Sequence, residues 1–354
     1  MHLNRCVLKL DGQPISVGDV FALELLTGAL SKFRTLLEEN CQKAALLEEA
    51  GKSLAQEELE ALFDDWRSEL NLLSAEDTEK WFDKLGINMG EVLAHLERKA
   101  LAQRFDVNEA SATPSTAINP SISTPFPELE KLLPTAAFLE GIFDPLVHDF
   151  ALHAVAPRIS TPAQLDQTIL EILGHLKLND EAEFSHRAST YLTSSSRARE
   201  ILEYAANFHF WSKNHMTQAV LERELASKAQ EYRWFDIETV FFGTSDAAQE
   251  AIWCVKEEKL SLAEVADRAE VVCTRARWFY TDLMGIPAGP RIISARELEL
   301  VGPQELNGSF TVYQVRARVQ AELHDPLVYA KVRERVLKQL LARELSQRIQ
   351  WPAL

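Results

Sequence analysis

Histidine, a frequent general acid–base and metal ligand, occurs nine times among the 354 residues of the chain. His148 and His153 lie five residues apart and flank Asp149, whereas His209 and His215 lie six apart. Helical metal sites place their ligands at i and i+3 or i+4, and only Asp149 and His153 have that spacing. One such pair arises commonly by chance. Ordinary surface or core histidines are therefore the favoured interpretation, and a metal-dependent enzyme in this helical region stays open as an alternative.

Serine and cysteine nucleophiles are not indicated either. The sequence has no G-x-S-x-G turn, and the serine cluster at 193–197 directly precedes a predicted helix, where capping explains it. The four cysteines are scattered without a C-x-x-C pair, so neither a zinc knuckle nor a redox motif is predicted. The adjacent carboxyls of Asp64 and Asp65 splay about 100° apart on a helix, which favours a solubilising role. We therefore expect no metal and no other cofactor.

The charge of the chain argues against nucleic acid as a partner. The formal net charge is -16, which repels a polyanion unless a local basic patch overrides it. A basic excess near the carboxyl end is typical of a solvated helix face. No apolar run is long enough for a membrane span, and the first residues lack the pattern of a secretory signal. These features predict a cytoplasmic protein with reduced cysteines and no membrane span.

The elements that position any site begin with helices. A short strand and an Asp-Gly turn occupy the first 15 residues, and residues 16 to 105 then show helical periodicity with repeated start signals. Each signal is a capping residue followed three positions later by a polar partner: Ser16 with Asp19, Ser53 with Gln56, Ser74 with Asp77, and Asn88 with Glu91. Residues 16 to 105 are therefore predicted to form four or five helices.

The pattern changes twice after this region. Residues 107–127 are rich in Ser, Thr, Ala, Asn and Pro, which predicts a linker. A second helical stretch runs to about 233, with a start at Thr161 and Pro162. Residues 235–242 then predict a strand, residues 246–257 a helix, and residues 309–319 an alternating strand. The aromatic residues between 234 and 280 either fill the core of this module or line an apolar groove.

The predicted fold is mainly α with a small α+β module. Residues 1–106 form an N-terminal helical domain, 107–127 a linker and 128–215 a second helical region. Residues 216–323 form the α+β domain. A long helix in 324–354, capped by Asp325, packs back on the helical region.

Several stretches resemble one protein family. The segment "LKLDGQPISVGDV" (8–20) resembles an opening strand-turn-helix, and residues 48–100 resemble the N-terminal helices that follow it. The segment "FDIETVFFGTSDAAQEAIWCVKEEKLSLAEVADRA" (235–269) resembles the first strand and two helices of a parvulin domain. Residues 298–319 resemble its last turn and strand, and 324–351 a closing helix. The chain thus resembles SurA/PpiC-type foldases, which combine a helical chaperone region with a parvulin-like peptidyl-prolyl isomerase domain.

The chain departs from that family where catalysis occurs. Active parvulins place one histidine in the first strand and another in the last, and the resemblance puts Thr239 and Thr311 at these places. Prolyl isomerisation faces a barrier of about 20 kcal/mol and needs a shaped pocket that favours the twisted amide. We therefore expect weak or absent isomerase activity. The resemblance implies a retained peptide groove near Thr239, Phe241, Met284, Phe310 and Thr311, with no assigned catalytic residue.

The sequence accordingly predicts a cytoplasmic, SurA/PpiC-like peptide-binding chaperone or adaptor. Its partner is an unfolded or precursor polypeptide, and peptide maturation or export is the process that the resemblance implies. An active parvulin-type peptidyl-prolyl cis-trans isomerase is the alternative, and the metal-dependent enzyme described above is the second alternative. The oligomeric state is not indicated.

Overall fold

The computed structural model describes residues 2–110, 126–192, 194–306 and 308–352. Within the predicted linker at 107–127, positions 111–125 lie outside the described residues. Positions 107–110 and 126–127 belong to helices.

Over the described residues the chain forms 17 helices and two small antiparallel sheets, which confirms the mainly α fold with a small α+β module. The helices are α1 (Val17–Thr27), α2 (Ser31–Glu49), α3 (Gln56–Glu69), α4 (Ala75–Leu85), α5 (Met89–Ala110), α6 (Phe126–Leu139), α7 (Phe143–Val155), α8 (Pro162–His175), α9 (Glu181–Ala188), α10 (Ser195–His215), α11 (Gln218–Ser227), α12 (Ala229–Tyr232), α13 (Ser245–Glu257), α14 (Leu262–Arg268), α15 (Tyr280–Leu283), α16 (Gly289–Ser294) and α17 (Pro326–Arg348). No helix in the described part of the chain has both the length and the apolar character needed to cross a membrane.

The strands divide between two sheets. They are β1 (Cys6–Leu10), β2 (Gln13–Ser16), β3 (Trp234–Phe242), β4 (Cys273–Phe279), β5 (Leu300–Leu306), β6 (Ser309–Val319) and β7 (Ile349–Gln350). The first sheet has the order β2-β1-β7, and the second has the order β4-β3-β6-β5.

The chain separates into two compact units. Residues 1–213 and 341–354 form the first unit, and residues 214–340 form the second. The finer division into five segments that the sequence suggests stays a prediction.

In the first unit, the opening strand is held by local and distant partners. Asp11 and Gly12 make the turn between β1 and β2 with positive φ angles of 50° and 82°, as an Asp-Gly hairpin requires. On its other edge β1 pairs with β7, where Leu10 lies opposite Ile349. The Arg348 guanidinium donates to the Asp11 carboxylate at 2.8 Å. Two segments from opposite ends of the sequence are therefore joined in one small sheet.

The start of α1 shows how the first unit accommodates buried charge. Ser16 caps the helix in a capping box with Asp19, as its sequence predicts. Asp19 is buried, and the Arg197 guanidinium of α10 donates to its two carboxylate oxygens at 2.6 and 2.8 Å. Because a buried carboxylate without a partner is costly, this bidentate pair fixes α10 against the first turn of α1.

The second unit is built around a sheet that is covered on both faces. On one face Val240 and Phe242 of β3 share a core with residues of α13 and α14. On the other face Phe235 and Ile237 share a core with Leu283 and residues of α16. Because successive strand residues point to opposite faces, the even- and odd-numbered positions of β3 serve different cores.

The first turns of α17 pack within the second unit. Val328, Val332 and Val336 are buried with Leu221 and Tyr232, among others. Their spacing of four residues places them on one face of the helix. Leu221 and Tyr232 belong to helices α11 and α12, and the packing of this helix on the helical region that the sequence suggests stays a prediction. From position 341 onward, the residues of α17 belong to the first unit.

One buried carboxyl makes the stability of the first unit depend on pH. Glu24 of α1 is 4% exposed. Its Oε2 accepts a hydrogen bond from the Thr27 hydroxyl at 3.0 Å, while its Oε1 has no partner among the described residues. Burial, aided by the negative charge of Asp149, raises the pKa of Glu24 to about 8. The folded protein therefore keeps a proton on Glu24 at neutral pH.

Replacing Glu24 by glutamine is expected to remove a pH-dependent loss of stability. From the ordinary pKa of 4.5 up to about 8, the folded state holds a proton that the unfolded chain has released. Stability conferred by that proton is complete below pH 4.5 and falls as pH rises, at about 1.4 kcal/mol per pH unit. Urea unfolding of the full chain between pH 5 and 9 measures how the free energy of unfolding changes with pH. The slope is expected to become flatter in Glu24→Gln but not in the exposed control Glu39→Gln. An unchanged slope in Glu24→Gln would contradict the assignment.

Candidate functional site

The structure brings three of the five predicted groove residues to one face of the second sheet. In the β3–β6 ladder, Thr239 lies opposite Tyr313, and Phe241 lies opposite Thr311. These positions share a face because directly opposed residues of an antiparallel pair point the same way. Phe310 lies opposite Phe242 and packs against the core of the other face.

These residues differ strongly in exposure. Thr239 is 6% exposed and Thr311 is fully buried, so neither offers surface to a ligand. Phe241 and Met284 are exposed at 48% and 56%. Met284 lines a cavity of about 670 Å³ with Tyr280, Thr281 and residues 226–231. The predicted groove is thus divided into a sealed polar centre and separate exposed side chains.

The sealed centre contains the hydroxyl groups of Thr239, Thr311 and Tyr313. Burial raises the pKa of the Tyr313 phenol, and the nearby Thr311 hydroxyl acts in the opposite direction. The two groups do not meet hydrogen-bond geometry, so the Thr311 Oγ1 atom has no partner among the described residues. The histidines of this unit, His215 and His324, both lie outside the sheet. The described strands of this sheet therefore carry no imidazole.

Of the three donors of the metal-enzyme alternative, only His153 and Asp149 are paired, with 3.6 Å between Nδ1 and Oδ2. His153 is buried against the Phe208 ring, and its Nδ1 atom lies 2.9 Å from the Asp149 carbonyl oxygen. His148 instead stacks on Trp351 with ring centroids 4.7 Å apart. Across the described residues, no group of three or more His, Cys, Asp or Glu side chains is placed to hold a metal ion. This geometry gives the alternative no support.

The first unit contains a cavity of about 340 Å³ that sequence reasoning missed. Most of its wall is apolar or aromatic, which suits the burial of apolar ligand groups. We call it the aromatic cavity; it is lined by Arg5, Cys6, Val7, Trp81, Lys84, Leu85, Phe138, Phe143, Asp144, Val147, His148, Trp351 and Pro352.

Ring contacts hold the aromatic wall in place. Trp81 packs edge-on against Phe138 at a centroid distance of 5.6 Å, and Phe138 lies 5.9 Å from Phe143. Phe143 in turn stacks on Phe21 of α1. Such pairs add to the stabilisation that burial provides and restrict side-chain motion. The wall is therefore preformed, while Trp351 beside it is 47% exposed and accessible to a ligand.

The polar residues of the aromatic cavity include two cations that have no carboxylate partner in the described structure. Arg5 and Lys84 make no ion pair among the described residues, although Asp144 lines the same cavity. Burial lowers the pKa of the Arg5 guanidinium. A partly desolvated cation without a counter-ion favours a ligand that brings a negative charge. The cavity can thus bind an apolar group with an adjacent carboxylate.

Thr311→Val is expected to preserve or increase the stability of the protein. The valine removes a buried hydroxyl that has no partner among the described residues. This change is expected to raise the free energy of unfolding by about 1–2 kcal/mol at most. In the control Thr78→Val, a loss of about 1–3 kcal/mol is expected. The Thr78 hydroxyl accepts from Arg67 Nε at 3.0 Å and donates to the Ser74 carbonyl at 2.9 Å. Urea unfolding measures both; clear destabilisation by Thr311→Val would show that the hydroxyl has a stabilising partner.

Comparison with known proteins does not supply a family. No protein-family model matches the chain, and no curated protein sequence matches it.

Proposed function

We propose that the chain is a SurA/PpiC-like binding protein for unfolded or precursor polypeptide, with weak or no prolyl isomerase activity. The observation that carries the proposal is the aromatic cavity, whose wall is preformed and whose Trp351 ring is exposed. Its volume of about 340 Å³ suits a few apolar side chains rather than a folded domain. The ligand is therefore a short apolar segment that a folded protein would keep buried.

Affinity for one segment is expected to be modest. An extended chain loses conformational freedom when it binds, and this cost offsets part of the gain from apolar burial. The preformed wall reduces the cost on the side of the binding protein, since Trp81, Phe138 and Phe143 already hold one another. Modest affinity suits a chaperone or adaptor, which must release its client.

The unpaired cations suggest which apolar segments bind best. Arg5 and Lys84 border the aromatic wall, and a client carboxylate next to its apolar residues can satisfy them. A segment flanked by lysine or arginine would repel the same pair. We therefore propose that clients carry an aspartate or glutamate beside the apolar segment.

The second unit supports the proposal through the order of its elements. β3 is followed by α13 and α14, and β6 ends the module, which is the order that the resemblance to parvulin domains predicts. The burial of Thr239 and Thr311 favours binding over catalysis. A site of action in the cytoplasm is part of the proposal. Cys6, Cys41, Cys254 and Cys273 form no disulfide in the described structure, which suits a reducing compartment.

Truncating the exposed ring of the aromatic cavity is expected to weaken peptide binding. A fluorescein-labelled peptide with a Leu-Phe-Leu core and one flanking glutamate serves as the probe, and fluorescence anisotropy gives its Kd. Trp351→Ala removes a large apolar contact, and a loss of about 1–3 kcal/mol corresponds to a Kd about five- to 150-fold higher.

A matched control uses another exposed tryptophan. Trp253 of the second unit is 55% exposed and does not line the aromatic cavity, so Trp253→Ala should leave the Kd unchanged. Replacing the flanking glutamate of the probe by lysine should also raise the Kd for the unchanged protein. Equal effects of the two tryptophan variants would place binding elsewhere and overturn the proposal.

The protein is expected to show no prolyl isomerisation above the uncatalysed rate. The reason is that Thr239 and Thr311 are buried and the sheet of the second unit carries no histidine. A protease-coupled assay with a proline tetrapeptide measures the rate, with an active parvulin as positive control. Turnover that falls in Met284→Ala would favour the alternative, an active isomerase.

A further inference from the structure

The two edges of the four-stranded sheet in the second unit are built differently. The sheet order β4-β3-β6-β5 leaves β4 and β5 as edge strands. In β5 the register shifts between Val301 and Gln304, and Pro303 lies within that interval. A proline and an irregular register both hinder the addition of another strand. The β5 edge is thus protected against pairing with a further strand.

The β4 edge has neither of these protections. All seven residues of β4 pair with β3 in one continuous register, from Cys273 opposite Val240 to Phe279 opposite Trp234. The strand contains no proline or glycine. An edge strand of this kind directs alternate backbone N–H and C=O groups outward, where they can pair with a further strand.

The middle of β4 is open on both faces of the sheet. Thr274 and Ala276 lie on one face, Arg275 and Arg277 lie on the other, and all four are exposed. Helices that cover both faces of β3 do not extend over these positions. A further strand could therefore lie beside β4 without steric hindrance from the faces.

The charges on β4 select the sign of the partner. Arg275 and Arg277 are the charged residues of this strand, and both lie on the same face. Arg275 Nε donates to Asp236 at 2.9 and 3.1 Å, and Arg277 Nη1 donates to Asp325 at 2.6 Å. Each guanidinium has five N–H donors, so each can bind a second carboxylate.

A second copy of β4 is a poorer partner than an acidic strand. Two β4 strands paired antiparallel about Ala276 would set Arg275 opposite Arg277 twice, and like charges directly opposite are destabilising. A strand with acidic residues at alternate positions instead places a carboxylate opposite each arginine.

We propose that the exposed edge of β4 binds an extended, acidic segment of a polypeptide as a fifth strand of the sheet. This inference rests on the proposed function in taking a non-native polypeptide as the ligand, but it concerns a different surface from the aromatic cavity. Backbone hydrogen bonds supply the affinity, and the two arginines supply the preference for acidic side chains.

The experiment uses the full chain and a labelled synthetic peptide of alternating glutamate and valine. Two further versions of the peptide carry N-methyl groups on alternate residues, in one phase or the other. In one version the methyl groups replace the N–H groups that face β4, and in the other they replace N–H groups that face away from it. The first version should therefore bind with a Kd more than about tenfold higher than the second. Hydrogen exchange should show new protection at residues 273–279 when the unmethylated peptide binds.

Substitutions in the protein separate strand addition from simple charge attraction. Arg275→Gln should raise the Kd about two- to fivefold, whereas Arg268→Gln, which breaks an exposed pair with Glu258, should not change it. Equal binding of the two N-methylated peptides would overturn the proposal, because side-chain attraction alone does not depend on the methylation phase. Residues 273–279 could instead become protected from hydrogen exchange without peptide, to an extent that grows with protein concentration. That result would also overturn the proposal, because it indicates that two copies of β4 pair with each other.

Failure here is distinguishable from failure of the proposed function. If the Leu-Phe-Leu peptide still binds in a manner sensitive to Trp351→Ala, the aromatic cavity retains its role and only the β4 proposal falls.

Discussion

The second unit depends on the pairing of β3 with β6. These strands are distant in the sequence, yet they form nine partner pairs at the centre of the sheet. The intervening elements, α13 to α16 with β4 and β5, attach to this ladder as edge strands or as helices over its faces. A register slip of one residue would exchange the two cores of β3, so the apolar pattern of both faces specifies the pairing.

This constraint explains why the polar centre is closed. Thr239 and Tyr313 lie opposite each other on the face that Leu283 covers. The helices on this face also pack tightly on each other, because a Cβ atom on Gly289 of α16 would lie 1.7 Å from the Leu283 carbonyl oxygen of α15. Thr239, Thr311 and Tyr313 are all buried, so the two central strands offer no open surface at these positions. A binding function must therefore use the exposed margins of the sheet or the first unit.

Local signals in the sequence predict much of the fold. The capping residues Ser74 and Asn88 lie where helices α4 and α5 begin, and Gly86 ends α4 with φ of 61°. Such features are determined by neighbouring residues, so they can be read without knowledge of the fold. Strands β3 and β6 were predicted for the same reason, since their apolar runs and alternation are local patterns.

Start signals fail where a better local partner competes. The sequence predicts that Ser53 begins a helix with Gln56, but α3 begins after Ala55, whose N–H donates to the Glu58 carboxylate at 2.9 Å. Thr161 precedes α8 as predicted, yet its side chain makes no capping bond. A capping motif thus identifies the region of a helix start more reliably than the bond that stabilises it.

The two proposed binding surfaces depend on contacts that no local pattern contains. The aromatic cavity combines residues from the first strand, from α4, α6 and α7, and from the segment after β7. Its closest sequence signal was the Trp81-Phe82 pair, which could equally have been core. The open edge of β4 follows from the strand order, which is also a long-range property. Sequence reasoning therefore did not locate either proposed surface, and the binding function that the resemblance implies stays a prediction.

The two proposed surfaces have a joint consequence for client selection. If both proposals hold, a polypeptide that carries an apolar segment and an acidic extended segment engages the aromatic cavity and the β4 edge in succession. Once one segment is bound, the other is held at a high effective concentration if the connecting chain can span the two sites. Short peptides with only one feature lack this gain. Discrimination in favour of long unfolded chains then requires neither tight binding at either surface nor a catalytic residue.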